Sequence, residues 1–88
     1  MSYIYLIQNE IDKFYTGSTN DLRRRLTDHN NSKVYSTRGH RWRLIYYEAY
    51  LAEADARERE HQLKFHGQAL YRLKKRLKNS LQNKNNKR

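Results

Sequence analysis

The stretch Tyr3-Ile4-Tyr5-Leu6-Ile7-Gln8, followed by the polar loop Asn9 to Lys13 and by Phe14-Tyr15-Thr16-Gly17, decides the fold. Its first run is aromatic or β-branched at most positions and apolar on both alternating faces, as suits a central strand covered on two sides. The loop is short enough for a hairpin, so the two runs are expected to pair antiparallel. Beyond Gly17, Ser18-Thr19-Asn20-Asp21 supplies N-cap candidates directly ahead of Leu22, and a helix is predicted from there to about His29, ended by Asn30-Asn31-Ser32. Leu22 and Leu26 form its apolar stripe, while Arg25 and His29, also four apart, project together from a neighbouring face.

Residues 31–41 show no period and hold Lys33, Arg38, His40 and Arg41, which predicts a basic loop leading to a third strand at Trp42 to Tyr50. From Glu53 the residues are strong helix formers. Ala52, Ala56 and Leu63 trace a stripe into which Glu60 falls, setting a carboxylate beside the buried edge. Gly67 marks a helix end or bend. Leu70, Leu73, Leu77 and Leu81 then recur at spacings of three and four, with Arg72, Lys75, Arg76 and Lys78 on the other sides, predicting an amphipathic basic helix over about 68–81. The expected architecture is α+β: a three-stranded antiparallel sheet flanked by helices in one domain over 1–81, with 82–88 a disordered basic tail.

The chain has 88 residues, 19 Lys plus Arg against nine Asp plus Glu, and a formal charge of +10. The excess is not uniform: residues 1–60 hold ten cations and nine anions, residues 61–88 nine cations and no anion. An acid-free C-terminal third implies a polyanionic partner such as DNA or RNA phosphate. Its bland counterparts are a solvated helix that keeps the protein soluble, or a calmodulin-type or membrane-surface helix. With no Cys and no Pro, disulfides and zinc–thiolate sites are excluded. No run approaches a membrane span and no signal-peptide pattern opens the chain, so a cytoplasmic protein without membrane association is expected.

Tyr5, Tyr15, Arg25, His29 and Glu60 together contain what metal-assisted phosphodiester cleavage requires: a proton acceptor, a cation for the phosphate and a hard oxygen ligand. Strand tyrosines are nevertheless most often packing residues. At these positions the sequence resembles the GIY-YIG nuclease family. Tyr3-Ile4-Tyr5 stands where Gly-Ile-Tyr is usual and Tyr15-Thr16-Gly17 where Tyr-Ile-Gly is usual. Ser18-Thr19, Asp21-Leu22, Arg25-Leu26, His29-Asn30, Trp42 to Glu48, and Ala56, Glu60, Leu63 and Lys64 follow in order. The resemblance covers roughly 3–65. The basic segment after Gly67, with Arg72, Lys74, Lys75 and Arg76, is similar to that of small stand-alone bacterial members. These in turn are similar to the nuclease domain of the excinuclease C subunit, so repair or processing of structured DNA is implied. Tyr3 replaces the usual Gly, Thr16 the usual Ile, and a late Asn of many members has no counterpart.

By this resemblance Glu60 is the ligand of one divalent ion, Mg²⁺ or Mn²⁺. Its bland alternative is a surface carboxylate pairing with Arg57 or Lys64. Arg25 would hold the scissile phosphate, a task suited to a planar, always-charged guanidinium, with Arg23 and Arg24 on backbone phosphates or solvent. One of Tyr5 and Tyr15 would take a proton from the attacking water, its pKa lowered by the metal and Arg25. The other would orient water or phosphate, and Tyr5 is the preferred base. His29 would bind phosphate or assist proton transfer, or else serve as a helix C-terminal His facing the dipole. His40 is a further phosphate contact. Glu48 is expected to anchor structure, and His61 and His66, five apart, are not expected to share a face. The expectation is a metal-dependent endonuclease acting on DNA, with RNA and the choice of monomer or weak dimer left open. Its rivals are a non-catalytic nucleic-acid-binding module and a protein-interaction adaptor.

Overall fold

The computed structural model describes residues 1–82. Strand β1 (Ser2–Asn9), strand β2 (Phe14–Thr19), helix α1 (Leu22–Asn30), a 3₁₀ turn (Tyr35–Thr37), strand β3 (Trp42–Tyr50) and helices α2 (Glu53–Phe65), α3 (Gly67–Arg76) and α4 (Lys78–Gln82) follow in that order. The strands form one antiparallel sheet in the order β2-β1-β3, which puts the doubly apolar run in the middle. The expected α+β architecture is therefore the one observed.

Because β1 alternates, it divides the core in two. Ile4 and Leu6 pack with Ala56, Leu63 and Leu73 under α2 and α3, while Tyr5 and Ile7 pack with Trp42 and the Leu22 and Leu26 stripe of α1 on the opposite face. In the β1–β2 hairpin the Asn9 side chain accepts from the backbone N–H groups of Ile11 and Lys13, both at 3.0 Å, an Asx-type closure with Asp12 at φ 65°. Ile7 faces Leu44 while Leu6 faces Tyr46, leaving Ile45 as the extra residue of a bulge in β3. The bulge keeps Tyr46, Glu48 and Tyr50 on the α2 side.

There Glu48 accepts hydrogen bonds from the hydroxyls of Tyr46 and Tyr50 and from Arg59 Nε, the last at 3.1 and 3.2 Å. Burial raises the Glu48 pKa, but the three donors outweigh it and hold the carboxyl below its usual range. Glu48 thus anchors α2 to the sheet, as its strand position suggested.

Three boundaries differ from expectation. The bend falls at His66 (φ −117°, ψ 89°), and Gly67 begins α3 instead of ending α2. The leucine-rich segment is two helices instead of one over 68–81. Leu77 leaves helical geometry at φ −106°, ψ 21°, keeping its side chain against the core, and the Ser80 carbonyl turns toward Arg43 Nη2 at 3.4 Å. Gln82, the first residue of the expected tail, closes α4, and the rest of that tail, 83–88, lies outside the described residues.

Gly17 faces Tyr5 across the hairpin, and the Tyr5 ring lies where a side chain would be: a Cβ on Gly17 would stand 2.6 Å from Tyr5 Cζ and closer still to the hydroxyl. The Gly17→Ala variant is expected to lose about 1–3 kcal/mol of stability, the usual cost of overpacking, read from the midpoint of urea unfolding.

Candidate active site

The Asp21 carboxylate caps α1 by accepting from Arg24 N–H at 3.1 Å, which sets the rotation of the helix and hence the aim of Arg25 and His29. The pair of polar residues expected on one face does converge, on Tyr5. The Tyr5 hydroxyl lies 2.7 Å from His29 Nε2, and the Arg25 guanidinium faces the same oxygen. Tyr5 is 2% exposed and His29 fully buried.

His29 Nδ1 lies 2.7 Å from Thr37 Oγ1, whose own proton points to the Val34 carbonyl at 3.4 Å. Thr37 therefore accepts from Nδ1–H, Nε2 carries the lone pair, and Tyr5 O–H donates to it. His29 is thus neither a surface phosphate contact nor an exposed helix-end cation. Burial, reinforced by the Arg25 charge, lowers its pKa to about 4. For Tyr5 the expected lowering is reversed in the protein alone: burial outweighs the opposing pull of Arg25 and pushes the hydroxyl up to about 12. Tyr5 in turn raises the pKa of Arg25.

Tyr15 packs edge-on against His29, with centroids 5.1 Å apart, and against Trp42, while Lys64 Nζ lies 5.5 Å from its ring centre. Across the β2 edge, α2 presents Glu60. Ser18 Oγ donates to its Oε1 at 2.8 Å and Lys64 Nζ pairs with Oε2 at 3.0 Å. Arg57, the other partner considered for Glu60, binds Glu53 instead. Among the described residues no three His, Asp or Glu side chains converge as a metal cage. The His61 and His66 rings do approach, to 5.8 Å, because the chain turns at the end of α2, but among the described residues no third ligand joins them there.

A cleft of about 470 Å³ opens beside this constellation, lined in part by Ser18, Asn20, Arg24, Arg25 and Arg57. The cations expected to bind nucleic acid divide accordingly. Arg24 and Arg25 line the cleft. Arg23, Lys33, Arg38, Arg41, Arg72, Lys75 and Arg76 are not among its lining; all seven side chains are exposed. His40 is half-buried and paired with Glu10 at 2.7 Å. That contact, with the Arg41 N–H on the same carboxylate at 2.9 Å, lowers the Glu10 pKa to about 2. His40 is therefore a clip between loops, because a nearby carboxylate already holds it.

Sequence reasoning missed Thr37, the Ser18 hydroxyl on Glu60 and the place of Arg57 in the cleft, whereas the Lys64 pairing is the alternative it offered for Glu60. Ser18 had one visible signal, its place directly after Tyr15-Thr16-Gly17. It also missed Asn30, whose side-chain amide bonds both backbone groups of Trp42 at 2.6 and 3.0 Å and so ties the end of α1 to β3.

A sheet edge that gathers two tyrosines, an arginine, a histidine and a lone carboxylate carries the side-chain types of phosphodiester chemistry. The GIY-YIG catalytic domain matches residues 1–76, and the chain belongs to the GIY-YIG nuclease family. It is similar to a UPF0213 protein of Clostridium perfringens, 35% identical over 67 residues that cover 73% of this chain and 71% of the relative. A UPF0213 protein of Haloquadratum walsbyi is 33% identical over 64 residues, covering 70% and 72%. No solved structure matches the chain. Among the described residues no helix is long and apolar enough to cross a membrane.

The depressed pKa of His29 links protonation to stability. The unfolded chain binds this proton first, so the contribution of neutral His29 is whole above about 6.5 and is lost as pH falls toward 4. Wild type is expected to lose up to about 3 kcal/mol more than His29→Gln between those limits, measured by urea unfolding at a series of pH values.

Proposed function

We propose that this protein is a metal-dependent endonuclease that hydrolyses phosphodiester bonds in DNA, with RNA as the alternative substrate. The observation that carries this reading is the Tyr5 hydroxyl held between His29 Nε2 and the Arg25 guanidinium. Packing alone does not require a buried acceptor histidine behind a strand tyrosine and a guanidinium in front of it.

A phenol with a pKa of about 12 is almost wholly protonated at neutral pH, so Tyr5 can accept a proton from water only by giving up its own. In this reading the water proton moves to the Tyr5 oxygen as the Tyr5 proton moves to His29 Nε2. The hydroxide attacks phosphorus and the P–O bond to the leaving oxygen breaks. Burial and the Arg25 charge disfavour imidazolium, so His29 returns its proton to the Tyr5 oxygen as Tyr5 releases one, through solvent, to the leaving oxygen, and the site resets. Arg25 holds the scissile phosphate and Arg24 its neighbour along the cleft, while Arg57, also at the cleft, stays paired with Glu53.

Glu60 and the Ser18 hydroxyl are hard oxygen donors, and Mg²⁺ is commonly held by a single protein carboxylate together with water and phosphate oxygens, so these residues fit one divalent ion. Bound there, Mg²⁺ or Mn²⁺ would neutralise charge developing on the phosphate and the leaving oxygen. One observation favours the rival reading, a non-cleaving nucleic-acid-binding module: Lys64 already neutralises Glu60.

Cleavage of supercoiled, linear and branched DNA with Mg²⁺, Mn²⁺ or EDTA tests the choice. Nicking that disappears with EDTA, and falls about 10²–10³-fold in Arg25→Ala and to a similar degree in Glu60→Ala, is expected. No cleavage of any substrate, with equal salt-dependent binding by all three proteins, establishes the binding module. If Tyr5 and His29 act as one relay, Tyr5→Phe and His29→Ala each lower kcat, and the double variant is no slower than the worse single one. Additive losses in single-turnover rates would separate the two roles.

A further inference from the structure

Tyr47 lies directly opposite Tyr5 in the β1–β3 register, and Tyr3 is two residues from Tyr5 along β1, so all three rings stand on one face of the sheet. Tyr5 is buried, whereas Tyr47 is 52% exposed and meets Tyr3 edge-on with ring centroids 5.9 Å apart. The cross-strand partner of Tyr3 in β2 is Thr19, which lines the cationic cleft with Arg24 and Arg25. An accessible pair of aromatic rings therefore begins about 7 Å along the strand from the residue assigned to water activation. Tyr3 also stands where the resembling motif usually has glycine, which could present no ring.

We propose that Tyr3 and Tyr47 form a stacking platform for an unpaired base adjacent to the phosphate held by Arg25, and that single-stranded nucleic acid or a single-stranded flap is the preferred ligand. The placement of the phosphate rests on the nuclease reading above. Aromatic faces beside a row of cations recognise single strands because every base offers a π-face and every linkage a charge. In an intact duplex the bases are stacked on one another and reach such a platform only after unstacking, which costs free energy. The chemistry of the platform contains no hydrogen-bonding code, so it selects for strandedness and not for sequence.

The test is the affinity of wild type, Tyr47→Ala, Tyr47→Phe and Tyr3→Ala for a labelled single strand of about 15 nucleotides and for its duplex, by fluorescence anisotropy in EDTA so that nothing is cut. Tyr47→Ala and Tyr3→Ala are expected to bind the single strand about tenfold more weakly with duplex affinity unchanged, while Tyr47→Phe stays within about twofold of wild type. Because Tyr47 is exposed, its replacement leaves the core intact, and Tyr47→Phe reports whether the ring is what matters. Unchanged single-strand binding by Tyr47→Ala overturns the platform, as does an equal loss for single strand and duplex. Cleavage enters separately: if wild type cuts nothing but the tyrosine-dependent preference persists, the nuclease reading fails and the platform stands.

Discussion

Everything in this small structure depends on β1 being buried on both faces. A strand in the middle of three has no free edge, and its alternation sends Ile4 and Leu6 to one helical layer and Tyr5 and Ile7 to the other. A shift of register by one residue would exchange those sets and drive the Tyr5 hydroxyl into the aliphatic cluster under α2, away from His29. The apolar packing of Ile4, Leu6, Ala56 and Leu63 is thus also what aims the candidate base.

Around that strand the site is assembled from both sides of an edge. β2 is the outer strand next to β1, so α1 on one face and α2 on the other can both reach past it. Arg25 and His29 come from the first and Glu60 from the second, and Gly17 leaves the space that the Tyr5 ring crosses. Glu48 holds α2 through Arg59, the residue immediately before Glu60, so the anchoring ion pair and the candidate ligand move as one piece of helix.

Much of this was legible because the informative patterns are local. Alternation in 3–8, the cap at Asp21, the four-residue spacing of Arg25 and His29, and the intrusion of Glu60 into an apolar stripe each need only a few consecutive residues. The illegible features all involve distance or competition. The leucine spacing from Leu70 to Leu81 runs unbroken through Leu77, so periodicity could not reveal that the backbone leaves helical geometry there. The reversal in Tyr5 acidity likewise needed the balance of burial against one cation, which only a three-dimensional neighbourhood supplies.

By itself the sequence determined the class of fold, the order of its elements and the cationic character of its C-terminal third, and it nominated residues for a candidate centre. Those properties follow from hydrophobic period, capping chemistry and charge, which act over a few residues or over the whole composition. Tertiary structure alone decided that Tyr5 gives its hydrogen bond to a neutral His29 oriented by Thr37, that Ser18 donates to Glu60, and that His40 is spent on Glu10. Those pairings join residues up to 42 positions apart, and short directional hydrogen bonds of that kind exist only once the packed core has brought their partners together.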